Sequence, residues 1–185
     1  MENIQRWIRK NHLIRLKNGL YVTRCYLDRA GNDPHYRELV ANTLLFPSYL
    51  STEYVLQKHN LLTDISWPLT SMTLKTPRRF TNPFGSFIYH HLQPRLYFGF
   101  EKHGYGQHPI YEATIPKALF DLFYLRLPQL ETTNVATIEE LRLTWSELPR
   151  KAFAVFCRLI TQSGIKKMEQ MIPQLMEVYD ANARR

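Results

Sequence analysis

The dipeptide Asn18-Gly19 separates two short β-prone runs, Leu13-Ile14-Arg15-Leu16-Lys17 and Leu20-Tyr21-Val22-Thr23-Arg24. A type I′ turn needs positive φ at both central positions, and Asn and Gly adopt it at least cost, so a tight β-hairpin is expected here. In the two-residue register Leu16 faces Tyr21 and Ile14 faces Thr23, leaving Arg15 and Lys17 to project from the opposite side. Just before this hairpin, residues 3–11 follow helical spacing. Ile4, Trp7, Ile8 and Asn11 fall on one face, and Arg6, Arg9 and Lys10, flanked by Gln5, fall on the other.

A basic helix followed at once by a short basic hairpin is the last half of a winged helix-turn-helix. In such a module the helix enters a major groove and the hairpin touches phosphates. Gln5 would reach base edges, and the arginines would read guanine or bind phosphate. A chain that starts at Met1 leaves no room for the two preceding helices, so the module is expected to be partial. The expected DNA-binding residues are therefore Gln5, Arg6, Arg9, Lys10, Arg15 and Lys17.

The rest of the chain reads as a separate body. Arg29-Ala30-Gly31-Asn32-Asp33-Pro34 is a break, with Asp33 as N-cap and Pro34 as first helical residue of a helix that Pro47 ends. Ser51 caps a second helix that runs to about Asn60, with Leu50 and Val55 as a hydrophobic staple. After Trp67-Pro68 the pattern turns extended, with candidate strands at 69–75, 84–91, 96–101 and 108–113. Thr114 then caps a helix carrying Ile115, Ala118, Leu119, Leu122 and Leu125. Lys117 and Asp121, at i and i+4 on that helix, read as an ordinary surface pair. A capping box at Thr137-Ile138-Glu139-Glu140, a helix from Pro149 to Gly164, and a final helix over 165–181 with a kink at Pro173 complete the chain. The expected class is α+β: the partial winged-helix arm over 1–30, an α/β domain with a mainly antiparallel sheet over 31–130, and a C-terminal helical segment over 131–185.

Charge narrows the partner. The chain has 24 Lys+Arg against 16 Asp+Glu, a formal net charge of +8. Residues 1–92 hold 12 basic and 6 acidic side chains, whereas 93–185 hold 12 and 10. An uneven basic surplus favours an anionic partner, nucleic acid first. A hydrophobic content of 44% argues against a disordered polyelectrolyte. The apolar runs are far short of the ~20 residues that span a bilayer, and no apolar stretch follows the basic N-terminus as in a signal peptide. Two cysteines, Cys25 and Cys157, fit a reducing, cytoplasmic setting. His90 and His91 are adjacent and point to opposite faces of a strand, so they cannot chelate together. His103 and His108 flank a Gly-rich turn without a carboxylate at ligand spacing. No metal, cofactor or catalysis is expected, and Glu101 and Glu112 read as a solvated sheet edge. Arg78-Arg79, in a loop between Pro77 and the Phe80-Thr81-Asn82-Pro83 turn, adds a second anion contact.

Several runs resemble a known family. Phe46-Pro47-Ser48-Tyr49-Leu50-Ser51-Thr52-Glu53-Tyr54-Val55-Leu56 is similar to a motif of the AbiEi antitoxins of type IV toxin–antitoxin systems. So, in order and spacing, are Asn60-Leu61-Leu62, Thr70-Ser71-Met72-Thr73, Arg78-Arg79-Phe80 and Gly85-Ser86-Phe87-Ile88-Tyr89. Ala113 to Leu122 resembles the family's Ala-x-Pro-Glu-Lys-Ala-Leu-x-Asp-Leu signature through Lys117, Ala118, Leu119, Asp121 and Leu122. Ile115-Pro116 stands where the family has Pro-Glu. Lys17-Asn18-Gly19-Leu20-Tyr21 resembles the wing that precedes this domain. The likeness covers about residues 4–125.

The resemblance implies a winged helix joined to an α/β domain with trailing helices. It also implies repression of the protein's own operon, with double-stranded promoter DNA as partner. The other implied activity is neutralisation of a cognate nucleotidyltransferase toxin without a stable complex, in phage defence, and no membrane partner is expected. Two alternatives stand beside it: an interaction module whose basic arm binds RNA or protein, and a nuclease-like enzyme.

Overall fold

The chain turns at Asn18-Gly19 as the sequence predicts, but the turn is not the expected type I′: Gly19 takes φ +76°, whereas Asn18 is not at positive φ. The computed structural model describes residues 2–30, 33–63, 68–129 and 134–183. The Gly31-Asn32 part of the expected break, and Trp67, lie outside the described residues. The chain is an α+β protein with a mostly antiparallel sheet and C-terminal helices, and it divides into two compact units.

The first unit takes residues 1–50, 67–94 and 102–111. It opens with α1 (Glu2–Arg9), which is shorter than expected. Asn11 does not continue the helix. It takes φ +57°, and the amides of Asn11 and His12 bond back to the carbonyls of Ile8 and Trp7 at 2.9 Å each. That is a Schellman-type stop with Asn in the left-handed position usually held by Gly. The apolar face of α1 is only partly covered: Ile4 is 37% and Trp7 45% exposed.

The hairpin of β1 (Leu13–Lys17) and β2 (Leu20–Thr23) departs from the expected register. Lys17 pairs with Leu20 as predicted, but Arg15 pairs with Tyr21 and Ile14 with Val22, with a shift between Arg15 and Lys17. Leu16 is the extra residue of a bulge. The bulge buries Leu16 to 7% exposure, so the side chain that an ideal ladder sets opposite Tyr21 goes into the core. The chain then forms α2 (Arg24–Ala30) where the sequence reading had a strand end and a break. The overlooked signal is Thr23, whose hydroxyl accepts from the Tyr26 amide at 3.3 Å.

The helix α3 (Pro34–Leu44) starts as expected: the Asp33 carboxylate accepts from the His35 amide. Beyond it lie β3 (Ser48–Leu50), β4 (Leu69–Thr73), β5 (Arg78–Asn82), β6 (Gly85–His91), β7 (Phe100–Tyr105) and β8 (His108–Ala113). They form one sheet in the order β5-β6-β4-β3-β8-β7. β3 and β5 each run antiparallel to a neighbour, while β4 and β6 are parallel. The expected strand at 96–101 instead begins at Phe100, after a 3-10 turn at Pro94–Leu96. Buried Asn42 ties α3 to the sheet, accepting from the Tyr111 amide at 2.9 Å.

The second unit takes residues 51–66, 95–101 and 112–185. Its helices are α4 (Thr52–Lys58), α5 (Ile115–Arg126), α6 (Val135–Glu139), α7 (Arg150–Ser163), α8 (Lys166–Glu169) and α9 (Ile172–Ala183). Its core is aromatic: Phe153 stacks on Tyr179 at 4.1 Å between centroids, and Phe156 lies 5.4 Å from Phe123. The expected capping box at Thr137 is not used. Asn134 caps α6 instead, accepting from the Thr137 amide and hydroxyl. Gly164 ends α7 at φ +64° as predicted. The expected kinked final helix is two helices, with Pro173 at the second position of α9, where its missing N–H costs nothing.

Two polar readings change with burial. Lys117 and Asp121 are not on the surface: both are fully buried, with Nζ donating to Oδ1 at 2.6 Å. Glu112 is 5% exposed rather than solvated, and it accepts from Lys58 Nζ at 2.7 Å.

Candidate nucleic-acid interface

The strand β1 lies against β5, the edge strand of the sheet, and the Asn82 amide donates to the Leu16 carbonyl at 3.5 Å. Between them runs an open groove of about 1020 Å³. Arg15 and Lys17 reach it from β1, Lys75 from the turn after β4, and Arg78 and Arg79 from the start of β5. Leu16, Leu45, Leu74 and Phe80 supply its apolar lining. No acidic side chain lines it, so nothing at hand neutralises the five cations.

The groove follows from local structure. Arg78 and Arg79 are not loop residues as the sequence suggested; they begin β5, paired opposite Tyr89 and Ile88. An edge strand bearing exposed cations is also how a sheet discourages pairing with other chains. Lys17 ammonium donates to the Leu44 carbonyl at 2.6 Å, at the C-terminal end of α3, where a cation suits the unpaired carbonyls. That contact anchors the hairpin as well as adding charge. Among the described residues, the side chains of Arg15, Lys75, Arg78 and Arg79 have no protein partner, and all are exposed.

The predicted site residues therefore fall into two groups. Arg15, Lys17, Arg78 and Arg79 meet around the groove. Gln5, Arg6, Arg9 and Lys10 are exposed on or just beyond α1 and do not line it. Sequence reasoning missed Lys75, which it placed in a strand over 69–75. The strand ends at Thr73, and the Thr76-Pro77 pair that follows Lys75 was the available turn signal.

The other polar concentration lies in the second unit. Asp121 Oδ2 accepts from the Ser51 hydroxyl at 2.7 Å, and Lys117 Nζ stands 4.6 Å from the Phe120 ring centroid and 5.3 Å from that of Phe98. Burial lowers the Lys117 pKa, against the pull of the Asp121 charge, which raises it. Gly99, at φ +77°, leaves room for the Lys117 stem; a Cβ there would stand 3.1 Å from its Cγ. Both charged groups are sealed from solvent, so this cluster holds the second unit together and offers nothing to a ligand. Among the described residues, no group of three or more His, Cys, Asp or Glu side chains could hold a metal ion. No helix among them is long and apolar enough to cross a membrane. No family model, curated protein or solved structure matches the chain.

Proposed function

We propose that the chain is a DNA-binding regulator whose basic groove grips the phosphates of duplex DNA. The observation that carries this reading is the groove itself: Arg15, Lys17, Lys75, Arg78 and Arg79 line one open cleft that contains no acid. Phosphate contacts supply most of the affinity and all of its salt dependence, and unpaired arginines give up little to make them. The exposed cations of α1, Arg6, Arg9 and Lys10, add a second row on the same arm, with Gln5 beside them to read a base edge.

The finer reading rests on the sequence resemblance. The chain acts in the cytoplasm as repressor of its own operon and as antitoxin to a nucleotidyltransferase toxin, without catalysis of its own. Coexpression with a nucleotidyltransferase of the implied toxin class tests the antitoxin half: growth should be restored. Binding to a duplex from its own promoter tests the repressor half. A promoter bound no more tightly than random duplex would remove the repressor reading, and toxicity unrelieved by coexpression would remove the antitoxin one.

A further inference from the structure

Leu16 also lines a second, smaller cavity of the first unit, of about 420 Å³. Its volume lies in the range of small-molecule sites. One wall is the hairpin and the start of α2, with Tyr21, Val22 and Tyr26, and the other is α3, with Tyr36 and Val40. No Asp, Glu, Lys or Arg lines it. No charged side chain is therefore there to pair with an ionic ligand, which favours an uncharged one.

Tyr36 is the informative side chain. It is 7% exposed, and its ring packs 5.0 Å from Tyr26 and 4.9 Å from Phe84, centroid to centroid. Among the described residues its hydroxyl has no hydrogen-bond partner, yet it is not sealed in the core like the orphaned hydroxyls of Ser48, Thr52 and Ser71. A hydroxyl left unpaired on so buried a ring, in a residue that lines the cavity, is available to a molecule that fills it. Like any tyrosine at neutral pH the Tyr36 hydroxyl carries its proton and can donate as well as accept, and burial raises its pKa further. At the rim, His108 is also without a protein partner among the described residues.

We infer that this cavity binds an uncharged aromatic molecule, a polar group of which hydrogen-bonds to Tyr36. The rings of Tyr21 and Tyr26 supply the stacking surface. Leu16, the bulged residue of β1, lines both this cavity and the basic groove. A ligand that moves Leu16 moves Arg15 and Lys17 with it, so occupancy adjusts the groove's grip on DNA. This coupling rests on the DNA-binding reading; the pocket does not.

The probe is 2-naphthol, titrated into the free, isotope-labelled full chain and followed by amide shifts. The expected result is saturable binding, with shifts centred on Tyr21, Val22, Tyr36 and Val40. Thr43 is an exposed α3 residue at the cavity mouth, and Thr43→Trp should fill the space and abolish those shifts without lowering Tm. Tyr36→Phe should weaken binding by about threefold to tenfold, the worth of one hydrogen bond. Naphthalene, which lacks the hydroxyl, should bind both proteins alike. Shifts that do not saturate, or that survive in Thr43→Trp, would overturn the pocket. Promoter affinity is then measured with and without saturating 2-naphthol. A change of about threefold or more in the wild type, absent in Thr43→Trp, supports the coupling, and unchanged affinity with the pocket filled overturns it. Saturable 2-naphthol binding by a chain that binds no duplex would instead sink the DNA reading and leave the pocket standing.

Discussion

Lys117 and Asp121 show how one buried pair can organise a helix. A Lys–Asp pair at i, i+4 is ordinarily a surface feature worth a few tenths of a kcal/mol. Here both groups are fully buried, and Ser51 satisfies the second carboxylate oxygen. Removing one partner of such a pair leaves an uncompensated charge, so Lys117→Ala should cost about 3–5 kcal/mol in denaturant unfolding. Replacing both, by Lys117→Met with Asp121→Leu, should recover most of that loss. The burial was legible only indirectly. Between Ile115 and Leu125 these two side chains are the only charged ones, so α5 has no polar face to turn outward. An i, i+4 rule applied to the pair alone misses this. A second residue-scale prediction concerns pH. The Tyr105 hydroxyl donates to Asp33 at 2.9 Å, which holds the Asp33 pKa below its ordinary 3.8 and pushes Tyr105 up to about 12. A lowered acid stabilises the fold above its ordinary value and loses that contribution as pH falls through the folded one. A raised tyrosine stabilises below its ordinary 10.0 and loses that as pH rises toward about 12. The stability gap between wild type and Tyr105→Phe should therefore be flat from about pH 5 to 9 and shrink on either side. A gap that is the same at every pH would show that the hydrogen bond contributes nothing.

At the scale of elements, the hairpin sets the position of the groove's first wall. The position of its turn was legible because Asn-Gly has few other uses between β-prone runs, but its type was not, since Gly19 alone of the two takes positive φ. Its bulge was not, because burying Leu16 depends on what lies behind the strand, which sequence spacing does not show. The same holds for α1: the pattern showed an amphipathic helix, but Ile4 and Trp7 are only partly covered among the described residues. The helix stop ahead of Asn11, which takes positive φ, was hidden because Asn signals the left-handed position less clearly than Gly. A Cβ at Gly19 would meet nothing within 4 Å, so Gly19→Ala tests backbone conformation alone. It should destabilise the hairpin by about 1–2 kcal/mol and weaken DNA binding through displacement of Arg15 and Lys17. A substitution that lowers stability but leaves DNA affinity intact would show that the hairpin does not position the groove. On α1, Arg9→Glu with Lys10→Glu should leave Tm unchanged, since both side chains are exposed, while reducing DNA affinity. Unaltered affinity in that variant would confine the interface to the groove.

At the scale of the whole molecule, the formal charge of +8 matters less than its placement. The α+β class and the clusters of cations at Arg15, Lys17 and Arg78-Arg79 were legible from patterning and charge. That the arm and β5 share one groove was not, because the two segments lie far apart in sequence and meet only when β1 lies against the sheet edge. The account's central claim is that this groove binds duplex DNA through its phosphates. The most direct test is equilibrium binding of the promoter duplex across a salt series, for the wild type and for Arg15→Glu with Arg78→Glu and Arg79→Glu. These side chains are exposed and without partners among the described residues, so the variant should fold normally. Each phosphate contact contributes about 0.9 to the slope of log K against log salt, so the three reversals should flatten the slope by about 2 to 3 and lower affinity at every salt concentration. A folded variant with wild-type affinity and slope would contradict the account.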